Sequence, residues 1–452
     1  MCYPFSSHTE RIIFHMTHNQ LIKNTQKLKG VSIVKVEENN QKDSVLVHVK
    51  LHKKESGICP HCGQHMPGYD AKTRARRWRG LDMGTHKVFI VADVKRIKCA
   101  EHGVVTEAVP WAFHGSKFTK KFEQQVAFQA IHQSKKLVCQ LMRINWRTVG
   151  TIIARVQKVK EIDPDKKFEN LEVIGVDETS YRKGHTYITT VVNQQTGEVV
   201  WAHDGFGKNT FEKFYERIGE DCASQIRMVS GDGARWIKNT VNENSPQAEF
   251  CIDPYHVVTW AIDALDRMRR RIWREAYEQD KSLPKRKVGR PKKGTEPKEK
   301  ESVTLKRSKY PLGKNPENLT EYQRESLNHI QKVFPKLFRG YQIKESLRAI
   351  FRSNEGVEEA LKKWLSWASR CRIPEFVELS RKIRRHTQSI LSTMKYGLSN
   401  ARIEALNNKI KLIIRRSYGF QDVDSLIGMI MLVCSNVGRN LRPAYTADTD
   451  FE

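Results

Sequence analysis

Apolar and polar positions alternate through "VSIVKVEENNQKDSVLVHVKL", where Val45, Val47, Val49 and Leu51 fall on one side. A period of two predicts a hairpin with one buried face. The later stretch "HKVFIVADVKRIK" alternates in the same way and predicts a further strand. The period lengthens in "FTKKFEQQVAFQAIHQSKKLVCQLMRINWRTVGTIIARVQKVK". Phe122, Val126 and Ala130 mark one helix, Leu137, Val138 and Leu141 a second, and Val149, Ile152, Ile153 and Val156 a third. Asn145 is the expected N-cap of the third. From Val173 onward the pattern becomes "VIGVD", "TYITTVVNQQTGEVVWAHDG" with a turn at Gln195 to Glu198, a helical "NTFEKFYERIG", then "IRMVSGDGARW" and "AEFCIDPYHVV". Three strands, a helix, a strand, a helix and a strand predict α/β alternation around a mixed sheet. Near the C-terminus, "SNARIEALNNKIKLIIRRSYGF" places Ile403, Leu406, Ile410 and Ile413 on one helical stripe, with Ser399 or Asn400 as cap.

Charge narrows the functional class. The chain of 452 residues carries a formal net charge of +28 spread along its length, which favours a polyanion as partner through counterion release. No apolar run approaches the ~20 residues of a membrane span. The opening residues lack the regions of a signal peptide, and Met16 is an alternative start. Nine scattered cysteines argue for a reducing cytoplasm rather than a disulfide framework. On the outward face of the third helix stand Arg147, Thr148, Thr151 and Arg155, residue types that reach phosphates and base edges. That face makes the trio a candidate helix-turn-helix rather than a plain three-helix bundle.

Cys59 and Cys62 in "GICPHCGQH" and Cys99 and His102 in "IKCAEHGVV" form a CxxC and a CxxH separated by about 36 residues. These are tetrahedral zinc ligands by type, with His61, His65 or His86 as alternative donors. Zinc is expected to tie the surrounding β-rich module together.

Acids recur where the later strands end: Asp177 and Glu178 after the first, Asp232 after "IRMVSG" and Asp253 after "EFCI". Carboxyl ends of strands are where α/β sheets place their sites. In a cationic chain, gathered carboxylates repel DNA phosphate unless magnesium or manganese lies between them, and hard cations suit oxygen ligands. Such ions promote phosphodiester cleavage and transfer. Glu404, beside the apolar stripe of its helix, is the expected third ligand, with Lys411 and Arg415 on the polar face for the DNA backbone.

Between Asp232 and Glu404 lie about 170 residues, enough for a helical insertion. Its middle, "SLPKRKVGRPKKGTEPKEKES", lacks apolar periodicity and reads as an extended or disordered loop. There, "GRPKK" with Arg290 and Lys292 resembles an AT-hook core entering the minor groove, though a generic basic linker has the same composition. Trp273, Trp364 and Trp367 flank the loop, and buried core is their expected use rather than stacking on flipped bases.

Taken together, "VIGVDETSYRKGHTYITTVVNQQTGEVV", "MVSGDGARWIKNTVNENSPQAEFCIDPYHVV", "YPLGKNPENLT" and "SNARIEALNNKIKLIIRRSYGF" resemble transposases of the bacterial ISL-three insertion-sequence family. The resemblance runs from about residue 20 to about 440, and the zinc module and helix-turn-helix precede the core in the same order. It implies a ribonuclease-H-like core with a DDE triad falling on Asp177, Asp232 and Glu404, Glu178 leaving the first ligand open by one residue. It also implies that Asp253 and His256 in "DPYHVV" match a (C/D)xxH element supporting the site or the bound DNA. The expected organisation is multidomain: an N-terminal tail 1–30, a small zinc-bound β module 31–112, a helix-turn-helix 117–160, and an α/β core in two parts, 171–264 and 396–442. A large helical insertion 265–395 with a basic loop 281–300 separates those parts, and a tail 443–452 follows. The function implied is cutting and joining of double-stranded DNA at terminal inverted repeats and target, in the bacterial cytoplasm on the nucleoid, by a homodimer or larger assembly and away from membranes. The alternatives are a transposase-derived regulator that binds without cutting, and a nuclease or resolvase that cuts without joining.

Overall fold

The computed structural model describes residues 17–71, 73–161, 164–282, 300–353, 356–397, 401–420, 422–439 and 441–444. A short helix α1 (His18–Thr25), closed by a capping box from Thr17 and Gln20, leads into the hairpin β1 (Val31–Asn39) and β2 (Ser44–Leu51). Val36 pairs with Val47, and Val47 and Val49 are buried on the expected face. Strands β3 (Arg74–Arg79) and β4 (Lys87–Val94) complete a sheet of order β1-β2-β4-β3, in which β2 and β4 run parallel. The stretch expected as one strand is two: β4 breaks at Lys95, and β5 (Arg96–Cys99) pairs instead with β6 (Gly103–Thr106). Lys95 donates its N–H to the Glu107 carboxylate at 2.7 Å, which removes it from either ladder.

Three helices follow: α2 (Lys120–His132), α3 (Lys135–Met142) and α4 (Trp146–Lys160), capped by Thr119, Ser134 and Asn145. The outer two bury the expected stripes. The middle one does not: Val138 and Met142 are buried while Leu137 and Leu141 stay exposed, because an eight-residue helix turns only one narrow stripe toward its neighbours.

A second sheet has the order β11-β10-β7-β8-β9. Strands β7 (Val173–Arg182), β8 (Thr186–Asn193) and β9 (Glu198–Asp204) form an antiparallel meander. Its tight turn is held by Asn193, whose side chain accepts from Gln195 N at 2.8 Å. Helix α5 (Lys208–Gln225) leads to β10 (Met228–Gly231), and α6 (Arg235–Asn244) to β11 (Glu249–Ile252), both parallel to β7. The insertion is helical: α7 (Pro254–Ser282), α8 (Glu301–Arg307), α9 (Lys309–Gly313), α10 (Glu321–Val333), α11 (Pro335–Arg352), α12 (Val357–Arg370), α13 (Pro374–Arg385) and α14 (Thr387–Tyr396). One apolar cluster runs from Phe168 and Leu171 through the sheet to Trp364, Phe376 and Ile390, so insertion and sheet share a core. Trp364 is buried and donates Nε1–H to Ile343 O at 2.9 Å, Trp273 packs against the cluster with Tyr277 stacked on it, and Trp367 is the exposed member of the three.

Helix α15 (Ala401–Arg416) buries Ile403, Leu406, Ile410 and Ile413 as the sequence pattern expects. Its candidate caps, Ser399 and Asn400, lie outside the described residues. Helix α16 (Val423–Cys434) follows. The contacts divide the chain into two compact units, one holding the residues up to 162 together with those from 414 onward, the other 163–413. The stretch expected as the last part of the core is therefore split within α15. The reason is α16, whose buried Leu426, Met429, Ile430 and Leu432 complete the core of α2 and α4. Gly150 permits that approach, since a Cβ there would stand 2.5 Å from Ser425 Oγ.

Candidate functional site

The β5–β6 hairpin turns through Gly103 at φ +69° and brings Cys99 and His102 to the loop of Cys59 and Cys62. Cys62 Sγ lies 3.8 Å from Cys99 Sγ, and His102 Nδ1 lies 3.5 Å from Cys99 Sγ and 3.9 Å from Cys59 Sγ. A tetrahedron with metal–sulfur bonds of about 2.3 Å has edges of about 3.8 Å, so the donor set fits structural zinc. The fourth donor is His102, with His61 stacked on its ring at 4.9 Å. Burial pushes the Cys59 thiol up, but the backbone N–H groups of Cys62 and His61 outweigh it and bring the thiol down to about 7. That favours the thiolate a metal requires.

On α4, Arg147 and Thr151 are exposed. Thr148 is half-buried and its hydroxyl donates to the capping Asn145 at 2.7 Å, so it helps to start the helix. Arg155, expected to face DNA, instead forms an ion pair with the fully buried Glu123. Burial still holds the Glu123 carboxyl above its usual range, despite Ser116 donating to it at 2.5 Å and Arg155 beside it. The sequence contained that signal: Glu123 sits one residue past Phe122, inside the apolar stripe of α2. Lys411 and Arg415 are exposed along α15, and Arg290 and Lys292, with nearly all of the basic loop, lie outside the described residues.

The acids are arranged by strand register. Ser230 pairs with Gly175 and Gly231 with Ile252. Continuing both parallel ladders sets Asp232 and Asp253, just past the ends of β10 and β11, beside Asp177, with about 4.8 Å from strand to strand. Asp177 and Glu178, expected where the first strand ends, stand instead inside β7, because its pairing with β8 continues to Arg182. Asp177 Oδ1 accepts from Glu178 N at 2.7 Å, and Oδ2 accepts from the Asn407 amide. Thr179, on the same face of β7, donates to Asn407 Oδ1 at 2.8 Å. Glu178 points the other way and accepts from Gly207 N at 2.9 Å. Asp232 is exposed and accepts from Ala234 N at 2.9 Å, whereas Asp253 is buried and accepts from Tyr255 N at 3.0 Å.

Burial is the main cause that raises the Asp177 carboxyl, and Asp232 adds to it, against the Glu178 N–H, Asn407 and His256. Asp253 is raised by burial and opposed by Tyr255 N–H and His256, so His256 acts on both acids. Glu178 is raised by burial, with Asp232 and Asp177 adding to it. Glu404 is exposed in the first turn of α15, one residue after Ile403, which packs on Gly175, and one turn before Asn407. Residues three apart share a helix face, which puts Glu404 about 4.5 Å along the axis from the residue that holds Asp177. Among the described residues the zinc quartet is the one set of three or more such side chains within 4.8 Å, so the acids are neighbours without being drawn into a closed cluster. Asn407 is the contact that reading the sequence missed. Its signal was its place three residues after Glu404 and four after Ile403.

Comparison with known proteins matches residues 174–430 to a family described as transposase, residues 55–102 to the zinc-finger of transposase IS204/IS1001/IS1096/IS1165, and residues 107–157 to the helix-turn-helix domain of transposase family ISL3. The chain is 43% identical over 407 residues to the transposase for insertion sequence element IS1557 of Mycobacterium tuberculosis, covering 88% of this chain and 91% of that one. It is 24% identical over 369 residues to the transposase for IS1001 of Bordetella parapertussis, covering 81% and 86%. No helix among the described residues is long and apolar enough to cross a membrane.

Proposed function

Because the chain belongs to the ISL3 family of insertion-sequence transposases, we propose that it cuts the ends of its element and joins them to target DNA at a carboxylate site formed by Asp177, Asp232 and Glu404. The observation that carries this reading is the register of the parallel strands, which sets Asp177 and Asp232 side by side, with α15 docked onto Asp177 through Asn407. The strand order, an antiparallel meander followed by two parallel strands on the far side of β7, supports a ribonuclease-H-like core. Asp177 rather than Glu178 is the first ligand on this reading, since it accepts from Asn407 on the helix that bears Glu404 while Glu178 ties down the start of α5.

Asp177, Asp232 and Glu404 would hold magnesium or manganese, which when bound would make a water or 3' hydroxyl more acidic and offset charge on the leaving oxygen. The protein's own contribution is placement. Asn407 fixes the rotamer of Asp177, the Ala234 N–H holds Asp232, and His256 lies close enough to act on both Asp177 and Asp253. The zinc quartet stiffens the N-terminal module, and Arg147 and Thr151 on α4 contact the inverted repeats. Lys411 and Arg415 steady the DNA backbone along α15. Cutting two ends in concert requires two such sites, hence at least a dimer when the ends are paired.

The test is cleavage and strand transfer with magnesium or manganese on duplexes carrying the element's own ends, comparing the natural chain with Asp232→Asn. Loss of several kcal/mol of charge stabilisation corresponds to a drop on the order of a thousandfold or more. Joined product from the natural chain alone establishes the reading. Cleavage without joining points to a nuclease or resolvase. Binding to the ends with no cleavage by either protein, under either ion, identifies a DNA-binding regulator.

A further inference from the structure

Strand β3, "RARRWR", is the edge of the first sheet and carries Arg74, Arg76 and Arg77 into solvent. Across from it lies the turn between α3 and α4, and between them runs a groove of about 720 Å³. Arg76, Arg77, Lys117, Arg143, Asn145 and Thr148 are among the residues that line it, together with Arg79 and apolar residues, and none of the lining residues is acidic. Arg79 and Arg143 are committed elsewhere: both bind Asp82, and Arg143 also donates to Thr85 O at 2.7 Å. Arg143 sits at φ +52° as the C-cap of α3, so this anchor locks the helix turn to the β3–β4 loop and fixes the groove's width. Arg76 donates one bond to Thr106 at 3.2 Å, and Arg77 lies over the Phe89 ring at 5.3 Å. Successive residues of a strand point to opposite faces, so Arg77, on the face of Arg79 and Phe89, is the one turned to the groove, while Arg76 reaches Thr106 on the other face. Among the described residues neither Arg77 nor Lys117 has an ion pair, so their charges are uncompensated.

The geometry points to this groove as a seat for the sugar-phosphate backbone of the duplex that α4 reads, with Arg77 and Lys117 as its phosphate contacts. The groove begins at Asn145, the N-cap of α4, and Thr148 in its first turn, so a duplex held by that helix must carry a strand past β3. Arginines on a rigid strand are preorganised for phosphate oxygens. The site would read no bases. It would add affinity and fix the register in which Arg147 and Thr151 meet the base edges. The inference rests on α4 being the DNA-reading helix.

The experiment titrates the full-length chain, at several salt concentrations, with a duplex bearing the element's terminal repeat and with a random duplex of equal length. The proteins are the natural chain, an alanine set of Arg77→Ala with Lys117→Ala, a lysine set in which Arg77→Lys is the single change, and Arg147→Ala. The alanine set is expected to weaken both duplexes in parallel and to lower the slope of log affinity against log salt by about 0.9 for each lost phosphate contact. The lysine set keeps the slope of the natural chain, which a purely structural role for the Arg77 guanidinium would not do, and zinc content confirms an intact fold. An unchanged slope in the alanine set overturns the proposal. Arg147→Ala decides the separate reading of α4: selective loss on the repeat duplex supports it, and no change on either duplex refutes it, whatever the groove variants show.

Discussion

Cys59, Cys62, Cys99 and His102 stand within 4.8 Å of one another, whereas Asp177, Asp232 and Glu404 do not close into such a group. Local chain geometry explains the difference. Two short hairpin-like turns deliver the sulfur and imidazole donors to one point. Carboxylates at neutral pH repel, so each is held by a local donor: Glu178 N–H and Asn407 for Asp177, Ala234 N–H for Asp232. A structural site is therefore complete in the fold itself. On the reading proposed above, the carboxylate site has to admit DNA and ions, and its hydrogen bonds fix the direction of Asp177 and Asp232 without closing the group.

The largest effect expected from this contrast comes from removing one ligand of the closed site. Cys59→Ser leaves two thiols and an imidazole around a position that needs four donors, and structural zinc is worth about 10–16 kcal/mol in finger peptides. Zinc content should fall from one ion per chain toward none, and the β5–β6 hairpin should lose amide exchange protection. Zinc retained in full by Cys59→Ser would show that His61 or another donor can replace Cys59 and that the site is less closed than its distances imply.

The same contrast explains what the sequence made legible. The grouping of the zinc quartet and the positions of Asp232 and Asp253 just past their strands were readable because each is tied to a local pattern, a CxxC or CxxH pair or a strand end, whereas Asp177 was singled out by the same rule although it stands inside β7. The stripe of α15 was readable for the same reason. Contacts between distant segments were not. Arg155 looks like any exposed helix arginine until α2 places Glu123 beside it, and Asn407 looks like a neighbour of Asn408 until α15 is laid on β7. The assignment of residues beyond 414 to the N-terminal unit depends on α16 covering α4, which no periodicity within α16 announces.

The open site is sharpened by moving its helix. A Cβ at Gly175 would overlap Ile403 Cδ1 and stand 2.7 Å from Gln194 Nε2. Gly175→Ala must therefore lift the N-terminal turn of α15 from β7, and overpacking of this kind costs about 1–3 kcal/mol. At roughly 2–4 °C per kcal/mol, thermal unfolding should drop by several degrees. Because the same turn bears Glu404, cleavage of element ends should fall further than stability alone accounts for, while zinc content and end binding stay unchanged. Equal losses in stability and cleavage would mean that α15 docking does not position Glu404.

The smallest effect, and the one most particular to an open carboxylate site, is the pH dependence of Asp177→Asn. The Asp177 carboxyl is raised mainly by burial, with Asp232 adding to the shift. A carboxyl whose folded pKa lies above its unfolded value destabilises the fold wherever it is ionised in both states, and the penalty disappears once pH falls below both values. The amide is neutral at every pH. The Asn407 side chain can turn over to accept from the new NH₂ while its own NH₂ faces the Thr179 hydroxyl, so the hydrogen bonds survive. In buffer without added magnesium or manganese, Asp177→Asn should be more stable than the natural chain at pH 7. That advantage should shrink as pH falls through the raised folded pKa and vanish below the usual aspartate range. Added magnesium should stabilise the natural chain and not the variant, reversing the order at pH 7. A variant less stable than the natural chain at pH 7 in magnesium-free buffer would instead make Asp177 a structural acceptor, as closed in its way as the zinc ligands.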